Sequence, residues 1–422
     1  MKRQIFVLMT TAGLLFAALF PCYGSGKIDN QFLNNFIDKN GVFKDYKDLM
    51  YKKGWQNKPS QAETTVNIYV NCETGIDKPK QGLSPKKPFK TISYAISNVP
   101  FIRDSSDYYV NINIARGTYN ETFSINYDKI VLVGEGNNNT FIAGPDANSI
   151  AIDISDSKNC EIRDIKVINA GSGISLYSSS VLISNAILEN NSIGIAASMN
   201  STATINNCEL NHNVIGLNIW EDSNGSIMGN TTIDSNDMVA VSVSGNSSVV
   251  IFPEANVVMS DNNGGFLIRS TSNLSISNGS SLSINNSTNY GIFVYSGSSI
   301  EIAAGKCTIS DNVFGLFASD SNVDVLFSGE LIIENSSIWG ISLTNNSTLT
   351  SNILGYLTIR NNNTGIFAHG SVINISGENS IIDNNQDVIL SFGARASIGA
   401  GVDIGSINCD GTILIEGNYA CP

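Results

Sequence analysis

Apolar and polar residues alternate along most of this chain, in runs too short for long strands and too regular for loops. The stretch NYGIFVYSG (289–297) shows the pattern: if Ile292 and Val294 face a core, Phe293 and Tyr295 face the other way. Such runs recur. The motif bulky–Gly–apolar–x–apolar falls at Gly173, Gly194, Gly216, Gly265, Gly291, Gly315, Gly340 and Gly365. Ala151, Ala240 and Val388 fill the gaps, giving steps of 21 to 26 residues. Each unit adds one or two shorter alternations, such as SSIEI and KCTIS after Gly291. Most units then place an asparagine three to five residues before the next anchor: Asn190, Asn211, Asn236, Asn262, Asn286, Asn312, Asn335, Asn362 and Asn384.

A unit of three short strands joined by tight polar turns cannot bury its own apolar face. Stacked units can, with each strand pairing to its equivalent about 4.8 Å above and below. The pattern therefore predicts a parallel β-helix, with the asparagines turned inward and bonded to one another up the stack. No unit carries a helical pattern of useful length, and proline is nearly absent from the repeats.

The earlier stretches IYVNCETGIDKPKQGLSPKKPFKTISYAI (68–96), VNINIARGTYNETFSI (110–125) and KIVLVGEGNNNTFIAG (129–144) resemble the opening coils of the pectate-lyase superfamily. The later coils look like the carbohydrate-binding and sugar-hydrolase repeats found on such helices. The resemblance implies an all-β, single-stranded right-handed parallel β-helix, a pectin-lyase-like solenoid of about 12–14 coils over residues 65–422. It also implies extracellular sugar-related biology, but the superfamily spans many activities and does not fix a reaction.

With each anchor set to zero, positions +1 and +3 point inward and +2 and +4 outward. The outward slots gather Trp220, Leu267, Arg269, Phe293, Tyr295, Phe317, Phe367 and His369 into one stripe. Aromatic rings stack on the apolar C–H faces of sugars, and Arg and His bond hydroxyls or carboxylates. Trp220, Arg269, Phe293, Tyr295, Phe317, Phe367 and His369 are therefore the candidate carbohydrate-binding residues, on a line that suits an extended polysaccharide. Cover by long turns or by a second copy of the chain is the competing account of the stripe. Tyr290, Phe314 and Trp339, at position −1 in three successive coils, are expected to form an inward structural ladder.

The residues argue against a catalytic centre without excluding one. Lyases of this superfamily need a base beside a uronate carboxylate, mostly with Ca²⁺, and its hydrolases need close acid pairs. After Ala170 the only basic residues besides His are Arg269, Lys306, Arg360 and Arg395, and no Asp-Asp or Asp-x-Asp spacing occurs. Arg269 is the one plausible base, and two acids distant in sequence could still converge through stacking. No cofactor is expected, with Ca²⁺ called for only on the lyase reading. Asp153, Asp156, Glu161 and Asp164 could hold such an ion, but read more simply as a solvated face with Lys158, Arg163 and Lys166. The expectation is a non-catalytic polysaccharide-binding solenoid. The alternatives are a polysaccharide lyase or other glycan-active enzyme, and a structural or adhesive surface protein.

Composition narrows the partners. Charged residues make up 14% of the chain and the net charge is −13, which gives nucleic acid no electrostatic footprint. Lys2 and Arg3, the apolar run Ile5 to Phe20 and the following polar residues read as a signal peptide over 1–24, so the protein is expected to be secreted, periplasmic or on the cell surface. LFPC (19–22) partly matches a lipobox, although Pro21 stands where such boxes carry a small residue. Residues 25–64 read as an N-terminal extension or a cap for the first coil. Of the seven cysteines, six remain after Cys22 is removed; Cys409 with Cys421 is the expected pair, and no C-x-x-C suggests zinc.

Overall fold

The computed structural model of the chain describes residues 65–102, 108–410 and 414–417. The signal-peptide and extension readings over 1–64 lie outside these residues. The alternating runs form three long parallel sheets of 15, 13 and 13 strands, and from the second strand onward every third strand in sequence belongs to the same sheet. Each coil contributes one strand to each sheet in turn, as in Ser172–Tyr177, Ser180–Ser184 and Ile187–Glu189. The glycine-led sheet, with its 13 strands, extends over about 58 Å at ordinary strand spacing.

Short corners turn the chain, and they hinge on one or two residues in the left-handed region. In one coil these are Ser178 (φ 48°), Asn185 (φ 49°) and Asn190 (φ 56°). Short polar side chains tolerate that conformation, which is why the turns are rich in Asn, Asp and Ser. Between corners, alternate residues fill the interior: Ile183, Ile205 and Ile227, among many others, are fully buried.

The corners are held by two polar ladders. At the corner leaving the glycine-led sheet, Ser179, Ser201, Ser223, Ser247, Ser272 and Ser298 are buried, and each Oγ accepts the N–H of the serine one coil earlier at 3.0–3.1 Å. At the corner entering that sheet an asparagine ladder does the same: Asn191 N–H donates to Asn213 Oδ1 at 2.9 Å, Asn213 to Asn236 at 3.0 Å and Asn236 to Asn262 at 2.9 Å. This meets the expectation for Asn236, Asn262, Asn312, Asn362 and Asn384. It corrects it elsewhere, since the inward residues are Asn191, Asn213, Ser287 and Ser336. Asn190, Asn286 and Asn335 instead adopt left-handed φ at the corner, which turns their side chains out of the ladder. Ser287 and Ser336 donate their N–H to Asn312 and Asn362 but lack an amide oxygen to accept the next rung, and their hydroxyls are buried without a partner.

The first coil is covered by a short helix, Ile92–Ser97, whose Ile92, Ala95 and Ile96 are buried. Thr91 caps its first turn, and Glu121 accepts the Ile92 and Ser93 N–H groups at 2.9 Å. Stacking continues past Ala394 despite the weaker repeat, with Arg395 in register with Val372. Cys409 is in a disulfide, whereas Cys72, Cys208 and Cys307 are free thiols. The expected partner, Cys421, lies outside the described residues.

Candidate functional site: an aromatic face on the glycine-led sheet

The anchor glycine breaks the two-residue alternation. Tyr290 pairs with Phe314 and Ile292 with Leu316, but the glycines between them do not pair. A Cβ on Gly291 would lie 2.4 Å from the Ile309 side chain and 2.7 Å from the Gly315 carbonyl oxygen, so this position looks inward at a backbone from the next coil. Ile292 looks inward as well. Two consecutive inward positions put the preceding residue outside. Tyr290, Phe314 and Trp339 are therefore half-buried on the outer surface, which corrects the inward ladder expected for them.

The outer face of this sheet thus has three columns, at −1, +2 and +4. The +2 column runs Leu267, Phe293, Phe317, Ser342 and Phe367, neighbours in strict register. Phe293 meets Phe317 edge to face at 4.9 Å, Tyr295 at 4.9 Å and Tyr290 at 5.7 Å between ring centroids. Further along, Phe314 meets Trp339 at 5.4 Å, and Trp339 stacks on Phe367 at 5.2 Å with 10° between planes. Phe367 leads to His369 at 6.4 Å, and His369 stacks on Phe392 at 4.8 Å. Such contacts stabilise the rings beyond the area they bury. Phe392, with a left-handed φ of 55°, stands 73% exposed at the far end.

Polar groups edge the rings. Arg269 is exposed, with Nη1 3.5 Å from the Tyr295 hydroxyl, and His369 Nδ1 lies 3.1 Å from Ser391 Oγ. Burial pushes the Tyr290 hydroxyl up to about 12, so it stays protonated and able to donate. Of the seven candidate residues, six belong to this assembly. Trp220 does not: it lies two coils before Arg269 in the +4 column, about 10 Å away, and makes no ring contact among the described residues. Tyr290, Phe314, Trp339 and Phe392 were missed. The signal for the first three was the invariable glycine after them, whose lack of side chain marks the skipped alternation.

The base proposed for a lyase fares poorly, because Arg269 is solvated rather than desolvated. Stacking does bring two acids together elsewhere. Glu301 and Asp324 are in register on adjacent strands of the second sheet, flanked by Ser275 and Thr350. Desolvation raises both carboxyls above their ordinary range, and the Asp324 charge raises Glu301 further. They lie on a different sheet from the aromatic face. Among the described residues no three His, Cys, Asp or Glu side chains gather as a metal site; Glu161 pairs with Arg163 at 3.3 Å, and Asp153 accepts from Ser124 at 3.3 Å.

Residues 150–306 match the family model described as a right handed beta helix region. Comparison with curated proteins gives no sequence match. Among solved structures, the A-module of the mannuronan C-5 epimerase AlgE6 from Azotobacter vinelandii superposes with a TM-score of 0.52 at 15% identity, over 78% of this chain and 94% of that one. The A-module of AlgE4 from the same organism gives 0.49 at 13% identity over the same shares. An alginate lyase from Paenibacillus sp. str. FPU-7 gives 0.29 at 12% identity, over 83% of this chain and 99% of that one. With three parallel sheets, one strand of each per coil, and the matched repeat at its centre, the chain folds as a right-handed parallel β-helix.

Proposed function

We propose that the protein binds an extended polysaccharide along the outer face of the glycine-led sheet, without acting on it chemically. The observation that carries this reading is the aromatic face, whose two groups of touching rings, Tyr290–Phe293–Tyr295–Phe317 and Phe314–Trp339–Phe367–His369–Phe392, together span five coils. A row of rings crossing the strands offers stacking surface to a long ligand lying parallel to the solenoid axis. Arg269, Tyr295, Ser319, Thr344 and His369 lie beside the rings in the +4 column, where they can bond hydroxyls. A β-helix of similar fold, the A-module of AlgE6, is named as a mannuronan C-5 epimerase, which agrees with this choice of ligand. The N-terminal pattern supports export, which would place the protein where such polymers are found.

The test is native electrophoresis of the protein through gels cast with alginate, polygalacturonate, a mixed-linkage glucan or an α-glucan, followed by staining for clearing. Retardation without clearing, lost in Phe293→Ala/Tyr295→Ala, is the expected result. Clearing around the band would make the protein an enzyme. Unchanged mobility in every gel, with oligomers that Phe293→Ser dissociates, would make the face an assembly surface.

A further inference from the structure

Among the described residues, three buried side-chain hydroxyls have no hydrogen-bond partner: Ser287, Ser336 and Ser342. The first two point inward and are explained by the asparagine ladder, in which they replace an amide. Ser342 is different. It occupies the outward +2 column, in register between Phe317 and Phe367, yet is fully buried. Trp339, three residues earlier on the same strand, is stacked on Phe367. A fully buried hydroxyl in an outward position, in register with a phenylalanine on either side and bonded to nothing, is costly unless something else completes it. Its neighbour Thr344 has no such deficit, since its hydroxyl reaches the Ala318 carbonyl at 3.4 Å.

We infer that Ser342 is a specificity-determining residue of the aromatic face, accepting or donating a hydrogen bond to a sugar hydroxyl that enters between the Phe317 and Phe367 rings. This rests on the polysaccharide reading above and deepens it. The rings supply contact that any pyranose face can use, whereas a single enclosed hydroxyl rewards only a sugar with a hydroxyl at the matching position. Entry requires the two rings to part, so the bond forms only with a ligand already stacked on the face.

The experiment compares Ser342→Ala, Ser287→Ala and Phe293→Ala/Tyr295→Ala with the unaltered protein, by affinity electrophoresis in the same four polysaccharides and by thermal unfolding. The expected result is that Ser342→Ala unfolds at the same or a higher temperature than the parent but binds the retarding polysaccharide about tenfold more weakly. Ser287→Ala, which removes an equally orphaned hydroxyl from the interior, should leave affinity unchanged. Full affinity in Ser342→Ala, with affinity lost in the Phe293/Tyr295 variant, would overturn the inference and leave polysaccharide binding standing. A lower unfolding temperature for Ser342→Ala would also overturn it, because the hydroxyl would then serve the fold. No retardation of the unaltered protein in any gel would remove both readings together.

Discussion

The rings of Trp339 and Phe367 lie face to face, 5.2 Å apart and 10° from parallel, although one precedes its anchor glycine and the other follows the next by two residues. The stack exists because the glycine turns two consecutive positions inward and hands the preceding residue to the outer surface. It makes Trp339 part of the outer aromatic face. Trp339→Ala is expected to weaken polysaccharide binding about tenfold, as loss of a large stacking surface does, while Trp220→Ala changes it little. Dissociation constants from affinity gels with serial polysaccharide concentrations check both.

Gly315 should not tolerate even a methyl group, although Ala151 and Ala240 hold the anchor position in their own coils. A Cβ on Gly315 would lie 2.4 Å from the Gly340 carbonyl oxygen and 2.6 Å from the Ile333 side chain. Relief requires the coils to separate locally, so Gly315→Ala is expected to cost about 1–3 kcal/mol of stability. Equilibrium denaturation in urea measures it, and an unchanged midpoint would refute the account of the skipped alternation.

The asparagine ladder gives predictions of opposite sign. Asn362 accepts the Ser336 N–H at 2.8 Å and donates to the Ile333 and Arg360 carbonyls, at 3.2 and 2.9 Å. Asn362→Ala leaves these groups unsatisfied in the interior and should destabilise the protein by about 1–3 kcal/mol or more. Ser336→Asn supplies the missing amide oxygen to the Asn312 N–H, and should raise the unfolding temperature. Scanning calorimetry on the two variants decides the matter.

The Glu301–Asp324 pair should make stability depend on pH in an unusual direction. Both carboxyls are raised above ordinary values of 4.5 and 3.8, so between those values and the raised ones the folded state holds more protons than the unfolded state. Stability contributed by the pair therefore falls as pH rises through that window and recovers on acidification. Asp324→Asn removes the like charge facing Glu301 and should flatten this slope and raise stability at neutral pH. Urea midpoints measured at intervals from pH 4 to pH 8 test it.

Much of the fold was legible in the chain because a solenoid is nearly one-dimensional. Each coil contacts only its neighbours, so the step of 21 to 26 residues carried the architecture, and the period of two carried the inside and outside of Phe293, Tyr295, Phe317 and Phe367. Asn236, Asn262 and Asn312 could be assigned to a ladder by spacing alone. Local geometry decided the rest. Which of two adjacent corner residues takes the left-handed φ settles whether Asn190 or Asn191 is buried, and both are asparagine. Carrying the alternation unbroken through the glycine misplaced Tyr290, Phe314 and Trp339, because the skip depends on a carbonyl from the next coil.

By itself, then, the sequence determined the coil, its period and the outward line of rings, since these follow from local alternation repeated many times. Only the tertiary structure decided which side chains share a surface across coils. It set Phe392 against His369, brought Glu301 beside Asp324, left Trp220 apart and set a buried Ser342 in register between two phenylalanines. The physical reason is register: residues about 25 positions apart become neighbours only when loop lengths and ladder bonds fix how each coil sits on the last.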